Sequence, residues 1–353
     1  MYLSQPEATR PSRQRSPGGA MSASTFRVER TTVNDEPTGD FSAVTAQPSG
    51  FRFPSLTFTV PKELVHRASV AEVLLTDWQR LDDTHFELTA QWPRGHSFFT
   101  PVADGHHDPL IGCETIRQIG MLLGHAEFGV PLGHQFIVWD IDISVRPQHL
   151  RVGWAPAALD IEVVCTEVKR RGKNLSGLRF EAVLRREGHV VATGGGSFSC
   201  MPPGVYQRVR GGHNLGGDWY QLPLISPAAP QSVGRMSPMD VVLSPTSEPD
   251  LWQLRVDTRH PILFEHAVDH VPGMVLLEAA RQATASVLGR SSYLPLAIAG
   301  EFKRYAELDS PCMIRAHRVT ERGPDGEETV LVTGHQDGAV VFSATVTAGE
   351  HGL

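Results

Sequence analysis

The segment Asp269–Ala283, DHVPGMVLLEAARQA, decides how the chain folds, because it combines helical periodicity with two charged residues. Apolar or small side chains recur at helical spacing, which predicts one buried helix face: Met274, Leu277, Ala280, Thr284 and Leu288. Glu278 and Arg281 interrupt this segment, and charged groups are costly to bury unless they are paired or used. The segment therefore predicts a buried helix that carries either an ion pair or a functional site.

A second segment, His96–Gln118, repeats the pattern of His260–Gln282 without a gap. The matched residues stand 164 positions apart: His96 and His260, His106 and His270, Glu114 and Glu278, Arg117 and Arg281, Gln118 and Gln282. An alternating strand pattern precedes each copy at the same offset, and GHVVATGGGSF resembles GAVVFSATV near the end of each copy. The chain is therefore a tandem duplication.

Each copy predicts a strand, a loop, one long helix and then several strands joined by short turns such as REGH and QDGA. Such turns indicate antiparallel hairpins, and one helix buried on an antiparallel sheet is an α+β arrangement. The helices are expected to begin near Pro109 and Pro272, since proline suits a first helical turn. We expect a disordered tail at 1–50, a repeat at 51–205, a Gly/Pro/Ser-rich linker at 206–238 and a second repeat at 239–353.

Composition excludes several classes of protein. The 353 residues are 41% hydrophobic and 20% charged with a net charge of −7, which is ordinary globular material without the basic footprint of a nucleic-acid binder. No apolar run approaches the roughly 20 residues that span a bilayer. The four cysteines are scattered, without a CxxC pair or Cys/His cluster. We expect reduced thiols in a cytoplasmic protein, no metal and no cofactor.

The loop and helix start of each copy carry groups suited to thioester chemistry. Free backbone N–H groups around Gly273 and Met274 suit an oxyanion or a thioester carbonyl. Glu278 can act as a general base, and Arg281 can pair with it or bind a phosphate. An ion pair and structural histidines are the alternatives. Glu114 and Arg117 are the equivalent catalytic candidates in the first copy. The other candidate substrate-binding residues are His260, His270, Gln282, His96, His106 and Gln118.

The second copy is favoured as the principal site, because the first copy has Asp108 and Pro109 where the second has Pro272 and Gly273. Asp108 can cap its helix, which makes close approach of a substrate to the backbone less assured. The sequence leaves open whether one copy works, both work, or each lends residues to the other.

PGMVLLEA, which begins at Pro272, resembles the loop-to-helix segment of hotdog β-hydroxyacyl dehydratases, whose catalytic dyad is a histidine and a glutamate. Here 18 positions separate His260 from Glu278, more than in dehydratases, and Arg281 is additional. The whole string, with the duplicated E-x-x-R-Q, is similar to the A-factor synthase (AfsA) family of actinomycete γ-butyrolactone biosynthesis. The resemblance covers about 57–349 and implies a tandem hotdog fold, in which antiparallel sheets each wrap around one long central helix.

The resemblance implies an acyltransferase that joins a β-ketoacyl group from an acyl carrier protein to the hydroxyl of dihydroxyacetone phosphate. The ester is the precursor of a γ-butyrolactone or furan signalling molecule. Glu278, with Glu114 as its counterpart, would take the hydroxyl proton, and Arg281 would grip the phosphate. Lys303 and Arg304 would contact the phosphate or the carrier protein.

Two other functions stay open. One is a double-hotdog dehydratase or hydratase that uses His260 and Glu278 on a β-hydroxyacyl thioester. The other is a non-catalytic protein that binds a butyrolactone-like ligand. Monomer and homodimer are both compatible with the sequence, because two hotdogs in one chain already form the pair that single hotdogs need.

Overall fold

The computed structural model describes residues 57–103, 105–211, 223–324 and 326–349, so the predicted tail at 1–50 lies outside the described residues. Within these ranges, twelve strands form one antiparallel sheet. The helices are α1 (Pro109–Ala126), α2 (Pro203–Arg210) and α3 (Gly273–Leu288). The strands are β1 (Leu75–Arg80), β2 (His85–Trp92), β3 (Gln135–Val145), β4 (Ala157–Arg171), β5 (Asn174–Arg186), β6 (His189–Met201), β7 (Leu243–Pro245), β8 (Leu251–Leu254), β9 (Pro295–Phe302), β10 (Met313–Arg318), β11 (Glu328–Gln336) and β12 (Ala339–Ala348).

The order of strands in the sheet reflects the duplication. It runs β1-β2-β4-β5-β6-β3 and continues as β9-β12-β11-β10-β8-β7, so the second half repeats the first in reverse. The halves join where β3 pairs antiparallel with β9, from Asp140 opposite Glu301 to Ser144 opposite Ala297. This join relates the repeats by an approximate twofold axis, and the predicted tandem α+β arrangement is confirmed.

The two long helices lie inside their half-sheets. All residues of α3 from Met274 to Ala285 are buried, and α1 is buried over nearly its whole length. Glycine allows α1 to approach the sheet closely, since a Cβ at Gly112 would lie 2.1 Å from Cδ1 of Ile143. A helix enclosed on all sides explains the apolar sequence around its charged residues. No helix among the described residues is long and apolar enough to cross a membrane.

The central pair of strands separates beyond a bulge at Trp139. The register of β3 against β6 shifts between Val138 and Asp140, which leaves Trp139 as the extra residue. Pairing of β3 with β9 also stops at Asp140. The segments that continue past this point, 135–139 and 302–307, line a common cavity. The bulge therefore sets the place where the sheet opens.

The range assigned to the linker contains ordered elements of the second repeat. VGRMSPMDVVL, which begins at Val233, matches VHRASVAEVLL, which begins at Val65, at an offset of 168 rather than 164. Both segments follow a short 3₁₀ helix, Lys62–Val65 in one case and Pro230–Val233 in the other. Each repeat thus begins with a short segment that packs against its own helix.

Candidate functional site

Glu278 lies at the centre of a fully buried ion cluster. Its carboxylate accepts hydrogen bonds from Nε of Arg281 at 2.9 Å and Nη2 of Arg281 at 2.7 Å. Nε of Arg235 donates at 2.7 Å, and the amide of Gln282 donates to the same carboxylate. Glu278 is 0% exposed and does not line the cavity. The predicted Glu–Arg pair is thus present, with a second arginine that the sequence analysis did not identify.

The first repeat builds the same cluster around Glu114. Nε of Arg117 donates to Glu114 at 2.9 Å and Nη2 at 2.8 Å, while Nε of Arg67 donates at 3.0 Å. The Gln118 amide donates to the carboxylate at 2.7 Å. Arg67 and Arg235 are therefore equivalent residues, each supplied by the short segment that opens its repeat.

Both carboxylates are firmly ionised. Burial by itself raises the pKa of Glu278, but Arg235 and Arg281 outweigh burial and hold the pKa at about 2. Burial likewise raises the pKa of Glu114, while Arg117 and Arg67 bring it to about 2. A carboxylate so stabilised in its charged form has little tendency to take up a proton.

His260 and Gln282 serve the architecture of the second repeat. Nδ1 of His260 accepts hydrogen bonds from the backbone of Ile262 and Leu263, and Nε2 lies 3.2 Å from Asp240. Gln282 accepts from the backbone N–H of Val242 and donates to the carbonyl of Asp240. These contacts hold loop, helix and opening segment together.

The first repeat reproduces this frame. His96 accepts from the backbone of Phe98 and Phe99 and faces Glu72, and Gln118 bonds the backbone at 72 and 74. None of the four matched side chains, His96, His260, Gln118 and Gln282, lines the cavity.

One cavity of about 900 Å³ lies between the two repeats. One part of the lining is the loop 262–274 with the start of α3, and another part is residues 66–67 with Arg117 and Met121 of α1. The open edge of the sheet around Trp139 forms a third side. Much of the lining is apolar, and it includes Phe99, Met121, Phe136, Val138, Met274 and Phe302. Six of the predicted site residues border the cavity: Arg117, His270, Gly273, Met274, Lys303 and Arg304.

The Glu114 cluster borders this cavity, whereas the Glu278 cluster does not. Arg67 and Arg117 both line it. The side chain of Arg117 is 17% exposed, compared with 2% for Arg281. The site is thus composite: it joins the helix entrance favoured from the sequence, that of the second copy, to the arginines of the first.

The equivalent position on the other side of the twofold axis is filled. Asp108 caps α1 by accepting from the N–H of Leu110, as expected, and is 1% exposed. The ring of Phe98 stacks under the Arg235 guanidinium at 4.3 Å, and its carbonyl accepts from Nη1 of Arg235 at 2.7 Å. His106, predicted to bind substrate, is buried and bonded through Nδ1 to the carbonyl of Ala103. These side chains are buried, and none of them lines the cavity.

The start of α3 presents uncapped backbone to the cavity. Pro272 precedes the helix and provides no side-chain cap, and Gly273 and Met274 occupy the first helical positions. Their N–H groups have no acceptor within the helix. Gly273 also lets the helix start pack closely against the Phe302 ring, because a Cβ there would lie 3.0 Å from that ring. An oxygen that develops negative charge would be stabilised at this point.

His66 marks the cavity side in a different way. It adopts the left-handed conformation (φ 53°) that Gly234 adopts at the equivalent place in the second repeat (φ 69°). Its Nε2 lies 2.8 Å from Nε2 of His125, whose Nδ1 donates to the carbonyl of Val130. Burial, and then the charge of Arg117, lower the pKa of His66 to about 3. The repeat that borders the cavity thus has a neutral imidazole at a strained backbone position, where the other repeat has glycine.

Charged groups flank the mouth of the cavity. Lys303 and Arg304 are exposed and line it just after β9, and Lys303 lies 3.5 Å from Glu301. Glu265 is held by Arg67 and by the N–H of Ala68, and its Oε2 has no hydrogen-bond partner among the described residues. The first repeat has Pro101 at the position of Glu265, so this carboxylate also occurs on the cavity side alone.

Three groups were not predicted from the sequence: Arg67 with Arg235, Asp269, and helix α2. The repeated V-x-R-x-S string was the available signal for the arginines, and it escaped because its offset differs by four residues from that of the main motif. Nothing in the sequence pairs α2 with Asp269. Among the described residues, no group of three or more His, Cys, Asp or Glu side chains could hold a metal ion, and the four cysteines are buried free thiols.

Known proteins identify one family, whose model matches most of the described chain. The model of the A-factor biosynthesis hotdog domain matches residues 52–202 and again 220–349. A relative from Streptomyces virginiae named 2-oxo-3-(phosphooxy)propyl 3-oxoalkanoate synthase is 54% identical, over 82% of this chain and 98% of its own. Synthases of the same name from Streptomyces coelicolor and Streptomyces griseus subsp. griseus are 42% and 40% identical, covering 82% and 90% of this chain and 91% and 96% of their own.

Among solved structures, the chain aligns with the 12:0-ACP thioesterase from Umbellularia californica. The sequence identity is 13% and the TM-score is 0.44, with 76% of this chain and 98% of the thioesterase covered. This distant likeness has no bearing on the chemistry of the cavity.

Proposed function

Because the chain belongs to the A-factor biosynthesis hotdog family, we propose that it is a 2-oxo-3-(phosphooxy)propyl 3-oxoalkanoate synthase. It transfers a 3-oxoacyl group from a thioester, carried by an acyl carrier protein, to dihydroxyacetone phosphate. The hydroxyl oxygen bonds to the thioester carbonyl carbon, the carbon–sulfur bond breaks, and the hydroxyl proton ends on the released thiol. The observation that carries the proposal is the composite cavity, which joins an uncapped helix start to two arginines across an apolar space.

The acyl donor occupies the apolar part of the cavity. Its thioester carbonyl lies at the start of α3, where the N–H groups of Gly273 and Met274 stabilise the oxyanion of the tetrahedral intermediate. The alkyl chain extends along the aromatic and aliphatic lining. The opening beside Trp139 lies just beyond the end of the β3–β9 pairing, and the carrier's flexible arm enters there.

Arg117 binds the phosphate of the acceptor. Its Nε and Nη2 are committed to Glu114 and to the carbonyl of Val65, and its partly exposed guanidinium edge faces the cavity. A guanidinium matches phosphate in geometry and charge. Arg281, to which the sequence analysis gave this role, is sealed in its cluster. Lys303 and Arg304 stand at the rim, where an acidic carrier protein would dock.

We assign Glu278 and Glu114 to structure. Each pairs with two buried arginines, and their low pKa argues against general-base catalysis. The same contacts weigh against the dehydratase alternative. His260 has both ring nitrogens engaged, and Glu278 is shielded from the cavity, so no His260–Glu278 dyad is available to a substrate.

The test is to incubate the full chain with a 3-oxoacyl carrier protein and dihydroxyacetone phosphate and to detect the ester by mass spectrometry. We expect the phosphorylated ester in the presence of both substrates. Interconversion of hydroxyacyl and enoyl thioesters would establish the dehydratase instead. Absence of any turnover, with tight ligand binding, would establish a binding protein.

The phosphate contact has its own experiment. Dihydroxyacetone and its phosphate are compared as acceptors in wild type, Arg117→Met and the surface control Arg315→Met. We expect wild type and the control to favour the phosphate, and Arg117→Met to lose that preference by about 10- to 100-fold. Glu114 keeps Arg67 and Gln118 in the variant, which preserves the fold. An unchanged preference would move the phosphate site elsewhere, with Lys303 and Arg304 as the next candidates.

A further inference from the structure

The loop that precedes α3 carries a histidine–aspartate pair at the cavity. Nδ1 of His270 lies 2.7 Å from Oδ1 of Asp269. The His270 ring lines the cavity and is 31% exposed, while the Asp269 side chain is 4% exposed. The exposed histidine is thus backed by a buried carboxylate, three residues before the uncapped helix start at Gly273.

Helix α2 holds Asp269 in place. The Tyr206 hydroxyl donates to both carboxylate oxygens of Asp269, at 2.7 and 2.8 Å. Arg210 donates from Nε to Oδ2 at 3.0 Å and from Nη2 to the backbone carbonyl of the same residue. Burial raises the pKa of Asp269, but the hydrogen bonds from His270, Tyr206 and Arg210 outweigh burial and keep the pKa well below its usual range. Asp269 is a fixed, ionised acceptor.

This acceptor determines the tautomer of His270. Because a carboxylate only accepts hydrogen bonds, the proton of a neutral imidazole resides on Nδ1 and the lone pair on Nε2. No hydrogen bond among the described residues uses Nε2 of His270. The Tyr305 ring packs edge-on against the imidazole at 4.8 Å and restrains its orientation.

The pair occurs on the cavity side alone. In the first repeat, Gly105 stands where Asp269 stands, and the equivalent His106 is buried with its Nδ1 on a backbone carbonyl. Both copies have the histidine. His270 differs in that it lines the cavity and is paired with Asp269, which helix α2 holds in place.

We propose that His270 is the general base of the acyl transfer and that Asp269, Tyr206 and Arg210 are its positioning residues. This inference rests on the proposed function. Nε2 takes the proton of the acceptor hydroxyl as its oxygen attacks the thioester carbonyl. The imidazolium that forms is stabilised by Asp269 and returns the proton to the sulfur when the carbon–sulfur bond breaks. The ester and the free thiol leave, and the histidine is restored.

The test compares ester formation by wild type, His270→Ala and the control His317→Ala, which alters an exposed histidine on β10 away from the cavity. We expect His270→Ala to lower kcat by about 10²- to 10⁴-fold, with little change in the KM for the acyl donor and an unchanged melting temperature. Added imidazole should restore part of the rate in His270→Ala and leave the other two unaffected. Rescue by a free base reports proton transfer and does not follow from a structural role.

The positioning residues give a second arm. Asp269→Asn and Tyr206→Phe should lower kcat while substrate binding is kept, Asp269→Asn by the larger factor. If wild type forms no ester, the proposed function fails. If wild type forms ester and folded His270→Ala keeps its kcat, or loses it without rescue by imidazole, the assignment of the base is overturned and the acyl transfer stands.

Discussion

Replacement of Glu278 by glutamine tests whether the charged motif of the central helix supports the fold rather than the chemistry. Glu278 is 0% exposed and pairs with Arg235 and Arg281, both nearly inaccessible to water. Glu278→Gln keeps the volume and leaves two buried guanidinium groups with one carboxylate fewer. Breaking a buried ion pair from one side costs about 3–5 kcal/mol of the free energy of unfolding.

The pKa of Glu278 leads to a similar magnitude. Its shift from 4.5 to about 2 corresponds to on the order of 3 kcal/mol of stabilisation of the folded state. A carboxyl group whose pKa is depressed on folding contributes this stability in full above its unfolded pKa. The contribution is lost as the pH falls from about 4.5 towards 2. The gap between wild type and Glu278→Gln should therefore be widest at neutral pH and shrink in acid.

Urea unfolding followed by circular dichroism, at pH 7 and at pH 3.5, measures this gap. The same samples are assayed for ester formation at a temperature where each is folded. We expect a stability loss of about 3–5 kcal/mol at pH 7, with kcat per folded molecule lowered far less than in His270→Ala. Wild-type stability combined with a loss of kcat beyond about 100-fold would refute the structural assignment and return Glu278 to the role of base.

Three further changes probe the cavity. Gly273→Ala brings a Cβ to 3.0 Å from the Phe302 ring and disturbs the proposed oxyanion site at the start of α3. We expect kcat/KM to fall about 100-fold. The control Gly204→Ala, whose Cβ meets no atom within 4 Å, should leave kcat/KM unchanged. His66→Gly introduces the residue that the second repeat has at this position, and urea unfolding should show a stability within about 1 kcal/mol of wild type. Ester formation should fall, because the cavity loses a hydrogen-bond acceptor. The control Glu187→Gly, at another left-handed turn, should change neither the stability nor the rate. Met121→Trp fills the apolar wall; kinetics across a series of acyl chain lengths should show long chains excluded and short chains accepted.

Much of the fold followed from the sequence because the motif on which it rests is duplicated. Two helices with the same charged positions, each followed by alternating strands and tight turns, left few arrangements, and the helix starts at Pro109 and Gly273 lie where they were expected. The Glu–Arg spacing also indicated a pair. Spacing of i, i+3 cannot tell which atoms the pair leaves exposed, because exposure depends on the short segments that bring Arg67 and Arg235 from outside the motif.

The site was harder to predict, since its parts come from both repeats and from α2. The second copy supplied the expected helix start at Gly273, yet of the two E-x-x-R-Q arginines it is Arg117 of the first copy that lines the cavity. His260 begins the repeated motif and was a candidate for that reason. In the structure its Nδ1 accepts hydrogen bonds from two backbone N–H groups, which hold the ring in the loop. His270 carried no stronger signal than His106 in sequence. What separates them is Asp269 and the helix that holds it, which is a tertiary fact.

Duplication explains how two equivalent halves can build an asymmetric cavity in one chain. In the structural role that we propose for them, the two ion clusters each hold their own half together, so Glu114 and Glu278 have the same task. The residues that differ between the copies are then free to specialise. On one side they are His66, Glu265, Asp269 and Gly273, all at the cavity or directly behind it; on the other they are Gly234, Pro101, Gly105 and Pro109, which go with a closed surface. Substitutions at the positions where the repeats differ should therefore change the rate of the reaction. Substitutions in the shared motif should change the stability of the fold.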